Sequence, residues 1–276
     1  MKNWSLDDIP WDKFDPALVD PETVKVVKAA AMVEHNAADY VAYLSNVFAD
    51  DPKFLEVVRH WGDEEVQHGE ALRRWGELAD PTWDFEKSFK TFREGYSLPL
   101  DANESVRGSR VGELIARCIV ETGTSSWYTA IREGSEEPVL KAVCKVIAAD
   151  ELRHYKLFYD HLRRYLEAEQ VSKWGRLKVA AGRIGETEDD ELAYAYYAAN
   201  FADQNGGGVP YDRLRHSNAY MRRAFSFYRP HHLDRGMAMI FKAVGLTPNG
   251  RLQMVASKAA WWLMQSRTKK LEKAAA

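Results

Sequence analysis

Two short segments carry residues able to work together on a metal ion. In WGDEEVQHGEAL (Trp61–Leu72), Glu65 and His68 stand three residues apart, and in AADELRHYKLFYDHL (Ala148–Leu162) Glu151 and His154 do the same. On a helix this spacing puts a carboxylate and an imidazole on one face, one turn apart, within reach of one ion. The motif arises by chance in a Glu-rich chain, so its register matters more than its presence. Around the first copy, Val58, Trp61, Glu65, His68, Leu72 and Trp75 alternate in steps of three and four. Leu140, Cys144, Ile147, Glu151, His154, Phe158, His161 and Tyr165 do so around the second. Both pairs therefore fall on the seam that a bundle helix turns to its core, where unpaired charge is costly and metal coordination relieves it.

Two more acids sit in apolar stripes on the preceding helices. Glu34 lies on the line Val27, Glu34, Val41, Phe48, and Glu121 lies with Leu114, Cys118, Ser125 and Tyr128. Asp51-Pro52 reads as the N-cap and first-turn proline of a helix, which ends helix one near Asp50. A hairpin folded there puts Glu34 about 16 residues before the turn and Glu65 about 15 after it, at one depth. A second turn near Gly134–Glu137 does the same for Glu121 and Glu151. Four glutamates and two histidines then converge on one level. One Glu from each of two helices, with Glu-x-x-His from each of the other two, is the ligand set of a two-metal carboxylate centre.

The spacing predicts helix one over 21–49, helix two over 52–78, helix three over 110–133 and helix four over 137–169. The connection 79–108, rich in aromatic residues, is long enough to return the chain to the same end of the bundle. The fold class expected is all-α: a ferritin-like four-helix bundle over 21–170, with a long crossover between helices two and three. An N-terminal arm over 1–20 precedes it, and a C-terminal helical extension over 171–276 packs on it. Within the extension, 175–188 reads as a Gly-rich, charged link and 206–210 as a loop.

Around the six candidate ligands, Thr124 lies one turn after Glu121 and points toward the same region. Its hydroxyl is equally suited to bonding its own backbone. Asp63 and Asp150 stand just before the ligands and suit the role of orienting imidazole rings. Glu64 would replace Glu65 if the register slipped by one. His161 reads as a hydrogen-bonded core histidine; His35, His60, His216, His231 and His232 read as surface residues, with His231-His232 a poor second metal site. Cys118 and Cys144 read as small buried hydrophobes.

The formal net charge of −3 hides an asymmetry. Residues 1–171 carry 21 Lys and Arg against 32 Asp and Glu, whereas 172–276 carry 17 against 9, a basic end suited to an acidic partner. Two lone cysteines exclude a paired-Cys zinc or rubredoxin-type module and suggest a reducing compartment. The polar start MKNWSLDDIPWDKF has no signal-peptide pattern, and no apolar run approaches the ~18 residues of a membrane span. A cytoplasmic location is expected.

These residues resemble the soluble acyl-acyl carrier protein desaturases. WGDEEVQHGEAL is similar to that family's second-helix motif, IAADELRH (Ile147–His154) to its fourth-helix motif, and Glu121 with Thr124 to its third-helix Glu and Thr. The likeness covers roughly residues 25–165. It implies Glu34, Glu65, His68, Glu121, Glu151 and His154 as iron ligands, Thr124 as a catalytic residue near the oxygen site, and Asp150 as a residue behind a ligand. It further implies two Fe ions, with Mn/Fe as a variant, and O₂ as co-substrate. The expected function is O₂-dependent desaturation or hydroxylation of an unactivated C–H bond. Its expected partners are an acyl carrier protein or another acidic carrier, an external donor such as ferredoxin, and a second copy in a homodimer. The alternatives are a tRNA- or amine-modifying di-iron oxygenase, a ferroxidase or rubrerythrin-like protein handling iron or peroxide, and a silent bundle with a structural metal. Missing CxxC pairs argue against the rubrerythrin electron-transfer module.

Overall fold

The computed structural model describes residues 4–186, 190–202 and 208–275. Among the described residues it is helical throughout, without a strand. The helices are α1 (Pro21–His35), α2 (Ala37–Val47), α3 (Pro52–Ala79), α4 (Phe85–Gly95), α5 (Arg110–Gly134), α6 (Pro138–Ala168), α7 (Lys173–Gly185), α8 (Asp190–Asn200), α9 (Arg213–Ser226), α10 (Pro230–Val244) and α11 (Arg251–Ala275).

Start signals are local and explicit. Asp20 accepts the Thr23 N–H at 2.8 Å, Asp51 the Phe54 N–H at 3.1 Å, and Glu137 the Leu140 N–H at 2.7 Å, each followed by proline at the first helical position. Glu137 is 1 % exposed and also accepts Trp75 Nε1 at 2.8 Å and the Asp15 N–H at 3.2 Å. One carboxylate thus starts α6 while tying it to α3 and to the N-terminal arm.

α1 packs along α3, α5 along α6, and α3 faces α6. The expected single helix over 21–49 is instead two, α1 and α2, broken at buried Asn36. The break falls where α3 comes close: a Cβ on Gly69 would lie 2.6 Å from the His35 backbone nitrogen, and one on Gly62 would lie 2.3 Å from Val41 Cγ2. The missing side chains let α3 slide against α1 and α2, and the chain bends there rather than running straight.

Core residues form two apolar clusters with a polar layer between them. On α3, Phe54, Val58 and Trp61 belong to one cluster and Ala71, Leu72 and Trp75 to the other, with Glu65 and His68 between. On α5, Glu121 separates Leu114 and Cys118 from Tyr128 and Ile131, and on α6, Glu151 and His154 separate Cys144 and Ile147 from Phe158 and Leu162.

Later helices lie against this centre: α8 on α1 and α4, α7 and α10 on α5, and α11 on α9 and α10. The link expected over 175–188 is helical as far as Gly185, because Ala180 is buried in the apolar cluster of Phe54, Val58 and Trp61 and three glycines do not prevent a packed helix. Residues 187 and 188 lie outside the described residues, as do 206 and 207 of the expected loop. The N-terminal arm makes three short 3₁₀ turns, Leu6–Asp8, Trp11–Lys13 and Pro16–Leu18.

Gly69→Ala would force the α1 and α3 backbones apart next to Glu34. A loss of about 1–3 kcal/mol of stability is expected in denaturant unfolding, against a gain of about 0.5–1 kcal/mol for Gly123→Ala in the interior of α5, whose Cβ meets nothing within 4 Å. Equal effects of the two changes would contradict the close approach.

Candidate metal centre

All six sequence-derived ligands meet in the polar layer. Glu34, Glu65, His68, Glu121, Glu151 and His154 are each at most 8 % exposed, His68 not at all. Their donor atoms form two groups in which the atoms lie within 4.8 Å of one another: Glu34, Glu65, His68 and Glu151, and Glu65, Glu121, Glu151 and His154. Glu65 and Glu151 belong to both.

Distances show how the sharing works. Glu65 Oε2 lies 3.6 Å from His68 Nδ1, and its Oε1 lies 2.9 Å from His154 Nδ1. Glu151 Oε1 lies 3.3 Å from His68 Nδ1, and its Oε2 lies 3.9 Å from His154 Nδ1. Each of the two carboxylates turns one oxygen to each histidine, and Glu34 and Glu121 close the two ends. His68 Nδ1, His154 Nδ1 and Glu151 Oε1 are buried without a hydrogen-bond partner. Orphaned donor atoms converging on one point fit the coordination of ions, because burial without a partner is otherwise costly. These buried Glu and His clusters could hold metal.

The outer nitrogens are cross-wired. His68 Nε2 lies 3.2 Å from Asp150 Oδ2 on α6, and His154 Nε2 lies 2.9 Å from Glu64 Oε2 on α3. Each imidazole is thus oriented by the acid just before the other motif's glutamate, which leaves Nδ1 facing the centre. Asp150 stands where the sequence placed it. Asp63 does not: it is exposed, and Glu64 takes the orienting part. Arg153 bonds both outer acids, with Glu64 Oε1 at 2.7 Å. Thr124 Oγ1 donates to Glu151 Oε2 at 2.6 Å, with the Val120 carbonyl farther off at 3.2 Å.

Sequence reasoning missed two residues. Tyr128, placed by the sequence in the apolar stripe of Glu121, donates its hydroxyl to Glu34 Oε1 and is 1 % exposed. Its place one heptad after Glu121 was the available signal. Trp4 donates Nε1 to Asp150 Oδ2 at 2.7 Å and stacks parallel to His68 with ring centroids 6.1 Å apart. Nothing in the sequence links it to a residue 146 positions away. A cavity of about 240 Å³ lies beside these groups, lined by Trp4, His60, Asp63, Glu64, Gln67 and Asp150.

His216 and His232, expected at the surface, are 1 % and 2 % exposed. His231 and His232 both reach Glu133 through Nε2, at 2.9 and 3.0 Å. His232 Nδ1 accepts the Arg229 N–H at 3.0 Å, which puts the ring proton on Nε2 and makes the Glu133 contact a donated hydrogen bond. This trio pins α10 to α5, and its donor atoms also lie within 4.8 Å of one another, with Glu133 and His231 exposed. His161 is buried against Phe54, and its Nδ1 lies 2.9 Å from Arg164.

No family model matches this chain, and no curated protein matches it.

Burial, then the Glu65 charge, pushes the Glu34 carboxyl well up; burial and the Glu151 charge do the same to Glu121. Burial alone would lower His68 and His154, but the surrounding carboxylates outweigh it and hold both rings well above their ordinary value. Burial would raise Glu65 and Glu151; for Glu65 a hydrogen bond with Glu34 and then the histidine contacts outweigh it, for Glu151 the histidine contacts do, and both are held low. The upward shifts of Glu34, Glu121, His68 and His154 favour protons in the metal-free centre.

The raised groups stabilise the metal-free fold fully below their unfolded values, 4.5 for the carboxyls and 6.5 for the imidazoles, and this is lost as pH rises through the folded values. Glu65 and Glu151 act in the opposite sense, but their contribution is complete above 4.5. Burial lowers His35, His161, His216 and His232, which act in the opposite sense only below about 6.5, so the melting temperature of metal-free protein should fall above about pH 7. Added Fe(II) or Mn(II) displaces those protons and should stabilise more at higher pH. Calorimetry at several pH values checks this; a metal-free melting temperature that rises above about pH 7 contradicts it.

Proposed function

We propose that this chain is an O₂-dependent di-iron oxidoreductase of ferritin-like architecture, acting on an unactivated C–H bond. The observation that carries the reading is the division of the Glu65 and Glu151 oxygens between two histidines. One side of the centre would be held by Glu34 and His68, the other by Glu121 and His154, with Glu65 and Glu151 shared. Four carboxylates balance the charge of two divalent cations. Hard oxygen donors with one imidazole per side suit Fe or Mn better than soft-ligand metals. When bound, a pair of Fe(II) ions supplies electrons to O₂ and the power to break a strong C–H bond.

The protein's own contribution is placement and exclusion of water. Asp150 and Glu64 fix the two imidazoles so that Nδ1 points inward. The Tyr128 hydroxyl holds Glu34, and the Thr124 hydroxyl holds the Glu151 oxygen that faces His154. A hydroxyl at that place can keep its hydrogen bond to the shared carboxylate as the charge there changes. The apolar clusters above and below keep the layer dry, which strengthens each of these interactions. An acyl chain on an acidic carrier as substrate, a ferredoxin-type donor and a homodimer rest on the desaturase resemblance alone.

A second reading, iron oxidation or peroxide handling, is favoured by one observation. The cavity beside the centre is lined by Asp63, Glu64, Asp150 and His60, a polar wall rather than an acyl tunnel.

Anaerobic loading with Fe(II), metal counting and O₂ uptake with and without acyl carriers tests the proposal. Two irons per chain and uptake that depends on the carrier substrate are expected; mineral formation with substrate-independent uptake would transfer the function to the second reading. Glu65→Ala and Glu151→Ala should each lose both metals, because each removes a ligand from both groups, whereas Glu121→Ala should spare the Glu34 side. Full metal content in both of the first two variants would sink the ligand assignment.

A further inference from the structure

α11 carries apolar side chains on both faces: Leu271 is buried in the core at 8 % exposed, and others face outward. The face it turns to α9 and α10 includes Gln253 at 3 % exposed and Ser257 at 7 %, and the Ser257 hydroxyl is buried without a partner. Gln253 is satisfied there by the Asp234 carbonyl and carboxylate at 3.0 and 3.1 Å. The outward face carries Leu252 (63 % exposed), Val255 (60 %), Trp262 (67 %) and Leu263 (59 %). Leu252, Val255, Ala259 and Trp262 repeat in steps of three and four, so these side chains form one stripe along the helix. Exposing this much contiguous apolar surface while burying Gln and Ser is unfavourable for a helix that meets only water.

Charge selects the occupant. α11 carries Arg251, Lys258, Arg267, Lys269, Lys270 and Lys273 against the single acid Glu272. Lys269 and Lys270 are exposed and, with Lys273, continue the outward face beyond the apolar stripe. Two copies meeting through this face would set six cations against six, with one acid on each side to answer them. A bilayer with anionic headgroups answers both features at once: it accepts Trp, Leu and Val at its boundary, needs no matching hydrogen bonds, and attracts lysines. No helix among the described residues is long and apolar enough to cross a membrane.

We propose that α11 is a peripheral membrane-binding helix, which lays the Leu252–Trp262 stripe on a bilayer surface rich in anionic lipid. Contact of this kind joins shallow apolar insertion to electrostatic attraction, so it weakens with salt. It is independent of the metal centre, and metal content is not expected to alter it.

The full chain should co-sediment with vesicles of phosphatidylcholine mixed with phosphatidylglycerol, and far more weakly with phosphatidylcholine alone. Val255→Glu with Trp262→Glu should abolish binding while leaving circular dichroism and the melting curve unchanged, because both side chains are exposed. Replacing Lys269, Lys270 and Lys273 by Ala should lower the partition coefficient on the order of 100-fold, at about 1 kcal/mol for each lysine near the surface. Absence of binding, or equal binding to both vesicle types, would overturn the proposal. A wild-type dimer in sedimentation that Val255→Glu with Trp262→Glu dissolves would overturn it in favour of a second copy. Selective capture of acyl carrier protein with no vesicle binding would assign the face to an acidic protein.

Discussion

Six ionisable side chains share one dry layer, and the rest of the molecule is arranged to make that tolerable. Removing charge from water is expensive, and it is recovered only where partners are close and correctly oriented. Here each inner atom faces a charge of opposite sign or another donor atom, and each outer nitrogen has its own acid. Arg153 in turn holds both outer acids, and Trp4 caps one of them from the N-terminal arm. Apolar clusters on both sides of the layer keep these contacts strong by keeping water out.

The wiring runs across hairpins rather than within them. α3 supplies Glu64 to His154 on α6, and α6 supplies Asp150 to His68 on α3. Glu65 and Glu151 likewise each serve both histidines. Separating α3 from α6 therefore unpairs both histidines and both central carboxylates together. Such an arrangement links the integrity of the fold to whatever positive charge fills the layer, protons or metal ions. Close approach of backbones supports it from the side, since Gly62 and Gly69 let α1 and α2 lie near enough to α3 for Glu34 to reach the centre.

Polarity is inverted at two places, for opposite reasons. In the central layer, charge is inside because acids and imidazoles face one another in groups that could hold metal. On α11, Leu252, Val255 and Trp262 are outside while Gln253 and Ser257 are buried, and no neighbouring helix among the described residues covers the stripe. Both inversions depart from the usual sorting of residues by solvent, and the apolar stripe differs in requiring a surface beyond the chain itself.

The sequence by itself determined the four central helical segments, apart from the break at Asn36, and the six inner residues, because a charged side chain at an apolar seam position is a local contradiction that periodicity exposes. Equal counts of residues from a turn then set Glu34 against Glu65 and Glu121 against Glu151 without any coordinates. Only the tertiary structure decided the outer shell. Glu64 rather than Asp63 meets His154, since adjacent residues on a helix point about 100° apart and only packing against α6 tells which one faces the ring. Trp4 and Tyr128 escaped for the same reason, as did the bend at Asn36 and the burial of His216 and His232: each depends on what another part of the chain brings alongside. Periodicity reports which face of a helix is turned inward, but the partner that meets it is fixed only when the helices have packed.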